Sequence, residues 1–227
     1  MITIALDGPS GAGKSTVCDI VADKLGILHL NTGALYRAVG LYVIKNGIDA
    51  HSENDVVQAL ANINIDIDYD NGVQNVILNG VDVTDELYTM KVSDISSLCS
   101  PYAMVRKYIT SIQRKIAQKY SIIMEGRDIT SEVLPDAKYK FYLDASSDVR
   151  ARRRINDSKN KDKLTMSDFE RIKAEIEERD RRDKTRTISP LIIVPDAKYI
   201  NSDNISANEV AQIIIDVVKG DVDETNN

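Results

Sequence analysis

The chemistry of this chain is concentrated near its start. Gly8-Pro9-Ser10-Gly11-Ala12-Gly13-Lys14-Ser15 fits the spacing G-x-x-x-x-G-K-[ST]. Small residues let successive backbone N–H groups reach phosphate oxygens, an approach that bulky side chains would block. Lys14 would reach the β- and γ-phosphates, and the Ser15 hydroxyl would sit on Mg²⁺. The helix that follows would add its positive dipole end. The pattern predicts a polyphosphate cradle. It does not say where the terminal phosphoryl group goes.

Three further stretches carry charge at spacings that suit anions. In "ERDRRDKTRTISPL", Arg179, Asp183 and Arg186 fall at i, i+4 and i+7, on one face if the whole stretch is helical, with Arg182 able to join them. That array reads either as a clamp on a transferring phosphoryl group or as a solvated, ion-paired helix. In "NTGALYR", Asn31 or Thr32 can cap a helix beginning near Gly33, with Arg37 one turn inside. An anion contact and a plain cap with a surface arginine are both open there. "MEGRDIT" places Glu125, Arg127 and Asp128 just after an apolar run, either facing a ligand crevice or forming a structural ion pair. His29 and His51 form no constellation with each other or with Cys18 and Cys99, so hydrolase-triad and metal-cluster chemistry find no support.

These groups need elements to position them. "ITIALD" reads as a buried strand and "KSTVCDIVADKLG" as a helix, with Val17, Ile20, Val21 and Leu25 at helical spacing and Gly26 as its stop. "ILHL", "SIIMEG", "YKFYLD" and "AKYIN" read as further strands. "GALYRAVGLYVIKNG", "PYAMVRKYITSIQRKIAQKY", "SSDVRARRRI" and "SANEVAQIIIDVVKG" read as helices. Between residues 62 and 83 the period changes to two, through Ile63, Ile65 and Ile67, and Asn-Gly pairs mark hairpin turns. Short buried strands alternating with helices predict an α/β fold, a parallel sheet covered on both faces. The expected organisation is a single domain. Its core is 1–60, 102–156 and 188–219, with a small antiparallel insertion at about 62–101, a charge-rich segment at about 157–187 that the resemblance given below makes a lid, and a disordered acidic tail at 220–227.

Net charge is −6 over 227 residues, which argues against general nucleic-acid affinity. Two cysteines without disulfide spacing suit a reducing cytoplasm. No stretch approaches the length of a membrane span, and no signal peptide is read at the start.

Taken in order, these motifs resemble the bacterial-type cytidylate kinases. "NTGALYR" is similar to the family's D-[ST]-G-A-x-Y-R, "EGRDI…LPDA" to D-G-R-D-I-G…P-D-A, and "RDRRDKTRTISPL" to R-D-x-x-D-x-x-R-x-x-x-P-L. The resemblance runs from the opening strand to the last helix. It implies the P-loop NTPase fold: about five parallel strands flanked by helices, with a small antiparallel β insertion and a helical lid. It implies transfer of the γ-phosphoryl of MgATP to CMP or dCMP, in pyrimidine nucleotide metabolism, by a cytoplasmic monomer with neither nucleic-acid nor membrane partners.

By that resemblance, Gly8, Pro9, Ser10, Gly11, Ala12, Gly13, Lys14, Ser15 and Thr16 hold ATP and its Mg²⁺, with Arg153 or Arg154 contributing. Thr32 and Arg37 hold the monophosphate. Ser97, Arg106 and Asp128 read the cytosine, and Arg127 lies close to the α-phosphate. Arg179, Asp183 and Arg186 belong to the lid, with Asp183 on the sugar hydroxyls and the arginines on phosphates. Lys14, Arg127, Arg179 and Arg186 are the expected catalytic residues. Asn31, Glu125 and Thr130 depart from the family's Asp, Asp and Gly. A kinase for UMP or another small acceptor, or an NTP-binding switch, is the alternative.

Overall fold

The computed structural model describes residues 1–157 and 165–224. The strands are β1 (Thr3–Asp7), β2 (Leu28–Asn31), β3 (Ile65–Asp70), β4 (Val73–Leu78), β5 (Val81–Asp82), β6 (Ile122–Gly126), β7 (Tyr139–Asp144) and β8 (Lys198–Asn201). The helices are α1 (Lys14–Leu25), α2 (Thr32–Lys45), α3 (Glu53–Ala59), α4 (Met90–Cys99), α5 (Ala103–Ala117), α6 (Ser147–Asn156), α7 (Met166–Thr185) and α8 (Ala207–Glu224). A five-stranded sheet runs in the order β2-β6-β1-β7-β8 and a three-stranded sheet in the order β3-β4-β5. β1 pairs parallel with β7, Leu6 opposite Phe141, and β7 pairs parallel with β8. β6 is buried at every position, the signature of a strand covered on both faces.

The chain divides into two compact units. One is Met1 with Leu28–Ile122; the other is Ile2–Ile27 with Ile123–Asn227. In the first unit, α2, α4, α5 and the small sheet share a core built on Leu35, Val39, Leu87, Val105 and Ile109. Ile65 faces this core while Asp66 is exposed, as period-two spacing demands. Both hairpin turns use the left-handed backbone that Asn-Gly pairs favour, with Asn71 and Gly72 at φ 50° and 82° and Asn79 and Gly80 at 51° and 83°. Two side chains of the small sheet tie it to β2. Tyr69 Oη donates to the His29 carbonyl at 3.1 Å, and the Gln74 amide both accepts from Asn31 N–H at 2.7 Å and donates to its carbonyl at 3.3 Å.

α3 and α4 are absent from the sequence reading, and the second half of the expected β insertion is helical. α4 buries Val92, Ser96 and Cys99, so its inward face includes a polar residue that hides the helical period. Its start is set by Thr89, whose side chain accepts from Val92 N–H.

In the second unit, Ile4, Leu6, Val17, Val21, Phe141, Leu143, Ile214 and Ile215 form the core that carries β1 and α1. α6 and α7 meet through Ala151, Ile172 and Ile176, with Ile155 and Phe169 beside them. α7 opens with a reciprocal cap. Asp168 N–H donates to Thr165 Oγ1, and Asp168 Oδ2 accepts from Thr165 N–H. α8 continues through Gly220 to Glu224, past the point where a disordered tail was expected. Gly220 does not take the positive φ that ends α1 at Gly26. Of the lid and tail expectations, residues 158–164 and 225–227 lie outside the described residues. Among the described residues, no helix is long and apolar enough to cross a membrane.

α2 and α4 touch at Gly40, where a Cβ would come 2.9 Å from Ser96 N and 3.1 Å from its Cα. Both are backbone atoms that cannot rotate away. Gly40→Ala improves helix propensity by about 1 kcal/mol, but overpacking costs about 1–3 kcal/mol. We expect a net loss of stability, measured as a lower urea midpoint at unchanged slope.

Candidate active site

The cradle is assembled at the carboxyl end of β1. Gly8 has φ 154°, and a Cβ there would collide with the Leu143 carbonyl, so only glycine fits this turn. Gly13 precedes α1 in a left-handed conformation with no side chain to cap the helix, which presents the first-turn N–H groups to an anion. Lys14 is buried, and its Nζ donates to the carbonyls of Gly8 and Pro9, both at 2.8 Å. Burial, reinforced by the nearby charge of Arg127, lowers the Lys14 ammonium to about 7. Ser15 and Thr16 are exposed on the first turn of α1.

The loop is braced by α6. Arg153 Nη1 donates to the Ala12 carbonyl at 3.0 Å, and Nη2 donates to the Ser202 carbonyl at 2.6 Å. The sequence expectation puts Arg153 on ATP; the structure places its guanidinium on the backbone that shapes the cradle. Arg154 is exposed.

Asp7, immediately before Gly8, is fully buried. Its carboxylate accepts from Ile129 N–H at 2.9 Å, Thr130 N–H at 2.7 Å and Thr130 Oγ1 at 2.7 Å. Burial pushes this carboxyl up from its ordinary range, and the three bonds from Thr130 and Ile129 oppose that rise. These bonds fix the π-helical turn Ile129–Val133 to the end of β1. Arg127 and Asp128 are thereby held just ahead of that turn.

Around Asp183 the same unit gathers cations. Arg127 Nε donates to Asp183 Oδ2 at 3.0 Å. Arg186 lies 3.7 Å from Asp183 Oδ1 through Nη1 and 3.8 Å from Asp128 Oδ1 through Nη2. Burial pushes the Asp183 carboxyl up, and the charges of Arg127, Arg186 and Arg179 reverse this to leave it below its ordinary value. One detail corrects the sequence reading. α7 ends at Thr185 and Arg186 is extended, with φ −62° and ψ 142°, so it does not share a helix face with Arg179 and Asp183. It returns to the cluster because Nε donates to the Ser189 carbonyl at 2.6 Å. Arg182 stays at the surface, 3.8 Å from Glu178.

In the other unit, Thr32 begins α2 and is buried. Asn31, one of the two expected cap residues, occupies the N-cap position without a side-chain cap bond. A Cβ on Gly33 would lie 3.1 Å from Asn31 Oδ1 and 3.2 Å from Arg37 Nη1, so both polar groups converge over that glycine. The Arg37 guanidinium stands 5.3 Å from the centre of the Tyr88 ring, and that of Arg106 stands 5.5 Å from the Tyr36 ring. Arg106 Nη1 also donates to the Ser100 carbonyl at 2.9 Å, one helical turn from half-buried Ser97.

The family model described as cytidylate kinase matches residues 4–220. The chain is 40% identical to the cytidylate kinase of Caldicellulosiruptor bescii over 97% of this chain and 99% of that one. It is 42% identical to that of Fervidobacterium nodosum over 95% of each. The chain belongs to the cytidylate kinase family. A solved structure of an uncharacterized protein from Eubacterium ventriosum, 12% identical with a TM-score of 0.53, covers 96% of this chain and 99% of its own and shares the fold.

Against the cytidylate kinase pattern, the departures fall at informative places. Thr130, where the pattern has glycine, supplies a hydroxyl to Asp7 that glycine lacks. Glu125 is the next-to-last residue of buried β6, and its charge supports Lys14 against burial. Spacing did not single out Asp7, Tyr36, Gln74, Tyr88 or Ser202. Only Asp7 carried a signal, a charge at the end of an otherwise apolar strand.

An anion at the cradle raises the Lys14 pKa from about 7. Binding at pH 8 therefore takes up protons, and affinity falls as pH rises above 7. Titration calorimetry of ATP in buffers of different ionisation enthalpy should show that uptake, and Lys14→Met should abolish it. Thr130→Val removes one hydrogen bond to a buried carboxylate at nearly constant volume. It should cost about 1.5–3 kcal/mol, read as a lower melting temperature, with Thr130→Ser retaining most of the stability.

Proposed function

We propose that this protein transfers the γ-phosphoryl group of ATP to CMP or dCMP, giving ADP and CDP or dCDP. The observation that carries the reading is a phosphate cradle and a buried arginine–carboxylate cluster within one compact unit, on a chain similar to cytidylate kinases over nearly its full length. A cradle alone suits any nucleoside triphosphatase. The additional guanidinium groups suit a second phosphate and the charge that spreads over the transferring group.

In this reading Lys14 and the loop amides hold the donor's phosphates. Mg²⁺ takes one or two protein oxygens besides substrate phosphates, and the exposed Ser15 hydroxyl is a suitable hard donor that would let the ion neutralise charge on the β- and γ-oxygens. Arg127, Arg179 and Arg186 stabilise the equatorial oxygens. Thr32 and Arg37 take the acceptor's phosphate, and Ser97, Arg106 and Asp128 take its base. The attacking phosphate oxygen is already ionised near neutral pH, so no general base is required. The protein acts as a monomer.

A coupled assay of ATP turnover with CMP, dCMP, UMP and AMP tests the assignment. CMP and dCMP should be the preferred acceptors; hydrolysis that no acceptor stimulates would overturn it. Arg186→Ala should lower kcat by about 10²–10³, the loss typical of one preorganised transition-state donor, with a smaller change in KM for ATP. A change confined to that KM would remove Arg186 from the transition state.

A further inference from the structure

Arg150 and Asp180 have no part in the reading above, although both are buried. Arg150 rises from α6 directly against the phosphate loop, where a Cβ on Gly11 would come 3.3 Å from its own Cβ. Its guanidinium is committed in three directions. Nε donates to the Ala145 carbonyl beyond β7 at 2.8 Å, and Nη1 donates to the Ser10 carbonyl inside the loop at 3.0 Å. Nη2 lies 2.6 Å from Asp180 Oδ2 on α7, with the two side chains 6% and 11% exposed. One planar cation therefore joins the cradle, the end of the sheet and the helix that carries Asp183.

Cohesion between α6 and α7 does not need this ion pair, because Ala151, Ile172 and Ile176 already supply an apolar contact. Bracing of the loop does not need it either, because Arg153 holds the Ala12 carbonyl. Asp180 Oδ1 is buried and takes no hydrogen bond among the described residues, so the carboxylate sits there at a desolvation cost. What the pair adds is register. Asp180 and Asp183 are three residues apart on α7 and share a face, so fixing Asp180 to the loop fixes the centre of the arginine cluster relative to Ser10.

We propose that Arg150 and Asp180 are a positioning pair that couples phosphate binding in the loop to the ordering of the Arg179–Arg186 segment. The inference rests on the reading of residues 8–15 as the donor's phosphate site. It extends that reading from the residues that touch phosphate to the contact that aligns them. Lysine could not replace Arg150, because a single ammonium cannot reach three acceptors that lie along a planar fork.

Amide hydrogen exchange on the full chain, with and without ATP and with no acceptor, tests the coupling. In the unsubstituted protein ATP should protect both 8–15 and 179–186. In Asp180→Ala, protection of 8–15 should persist, while that of 179–186 should fall by about tenfold, within the range for residues in contact. Arg150→Lys should reproduce the loss, and the double variant should be no worse than either single one. Glu178→Ala, on the exposed face of the same helix, should leave protection unchanged. Asp180→Asn keeps the shape if the alanine variant does not fold, and it should show a smaller loss in the same segment. With CMP as acceptor, Asp180→Ala should lower kcat more than either KM. Equal protection of 179–186 in Asp180→Ala and the unsubstituted protein overturns the proposal, as does protection by ATP of the loop alone in the latter. A protein that shows the coupling but does not phosphorylate CMP instead removes the acceptor assignment and leaves the positioning pair standing.

Discussion

Asp183 can stay ionised out of water because guanidinium groups surround it. Burial alone would push its carboxyl up, and Arg127, Arg186 and Arg179 bring it below its ordinary value. The dependence runs both ways, since arginines at such close quarters repel one another without a carboxylate between them. This condition organises much of the second unit. Arg127 must be delivered by the turn after β6, which Asp7 holds through Ile129 and Thr130. Arg186 must be turned back after α7 ends, which the Ser189 carbonyl accomplishes. The phosphate loop begins one residue after Asp7, so the same buried carboxylate sets the start of the cradle.

Backbone carbonyls recur as the fixed points of this arrangement. Arg127 donates to Gly126, Arg150 to Ala145 and Ser10, Arg153 to Ala12 and Ser202, and Arg186 to Ser189. In the first unit Arg106 donates to Ser100. A carbonyl cannot change rotamer, so an arginine anchored on one keeps its remaining N–H groups aimed without further loss of side-chain entropy. That is preorganisation in the electrostatic sense: donors oriented before charge develops. It also explains how a chain of net charge −6 handles highly charged ligands. The useful positive charge is local and held, not spread over the surface.

Most of the scaffold was legible in the sequence because its signals are local. The strand, glycine loop and helix at 3–25, the period-two isoleucines of β3 and the Asn-Gly turns each announce themselves within a few residues. α4 was not legible because its inward face includes Ser96, acceptable there only because Gly40 of α2 has no side chain. The candidate site was legible in its residue types and less so in their arrangement. Spacing placed Arg186 on a helix face, whereas the helix stops one residue earlier. The resemblance offered Arg153 or Arg154 for the ATP side, and the bonds of Arg153 to the Ala12 and Ser202 carbonyls are ones that no local pattern announces. Asp7 and Thr130 are more than a hundred residues apart, and only the parallel sheet brings them together.

The reciprocal cap at Thr165 and Asp168 gives α7 a starting point of its own. A helix that begins on its own residues inherits neither phase nor origin from the chain preceding it. The rotational positions of Ile172, Ile176, Asp180 and Asp183 are counted from Thr165, not from the end of α6.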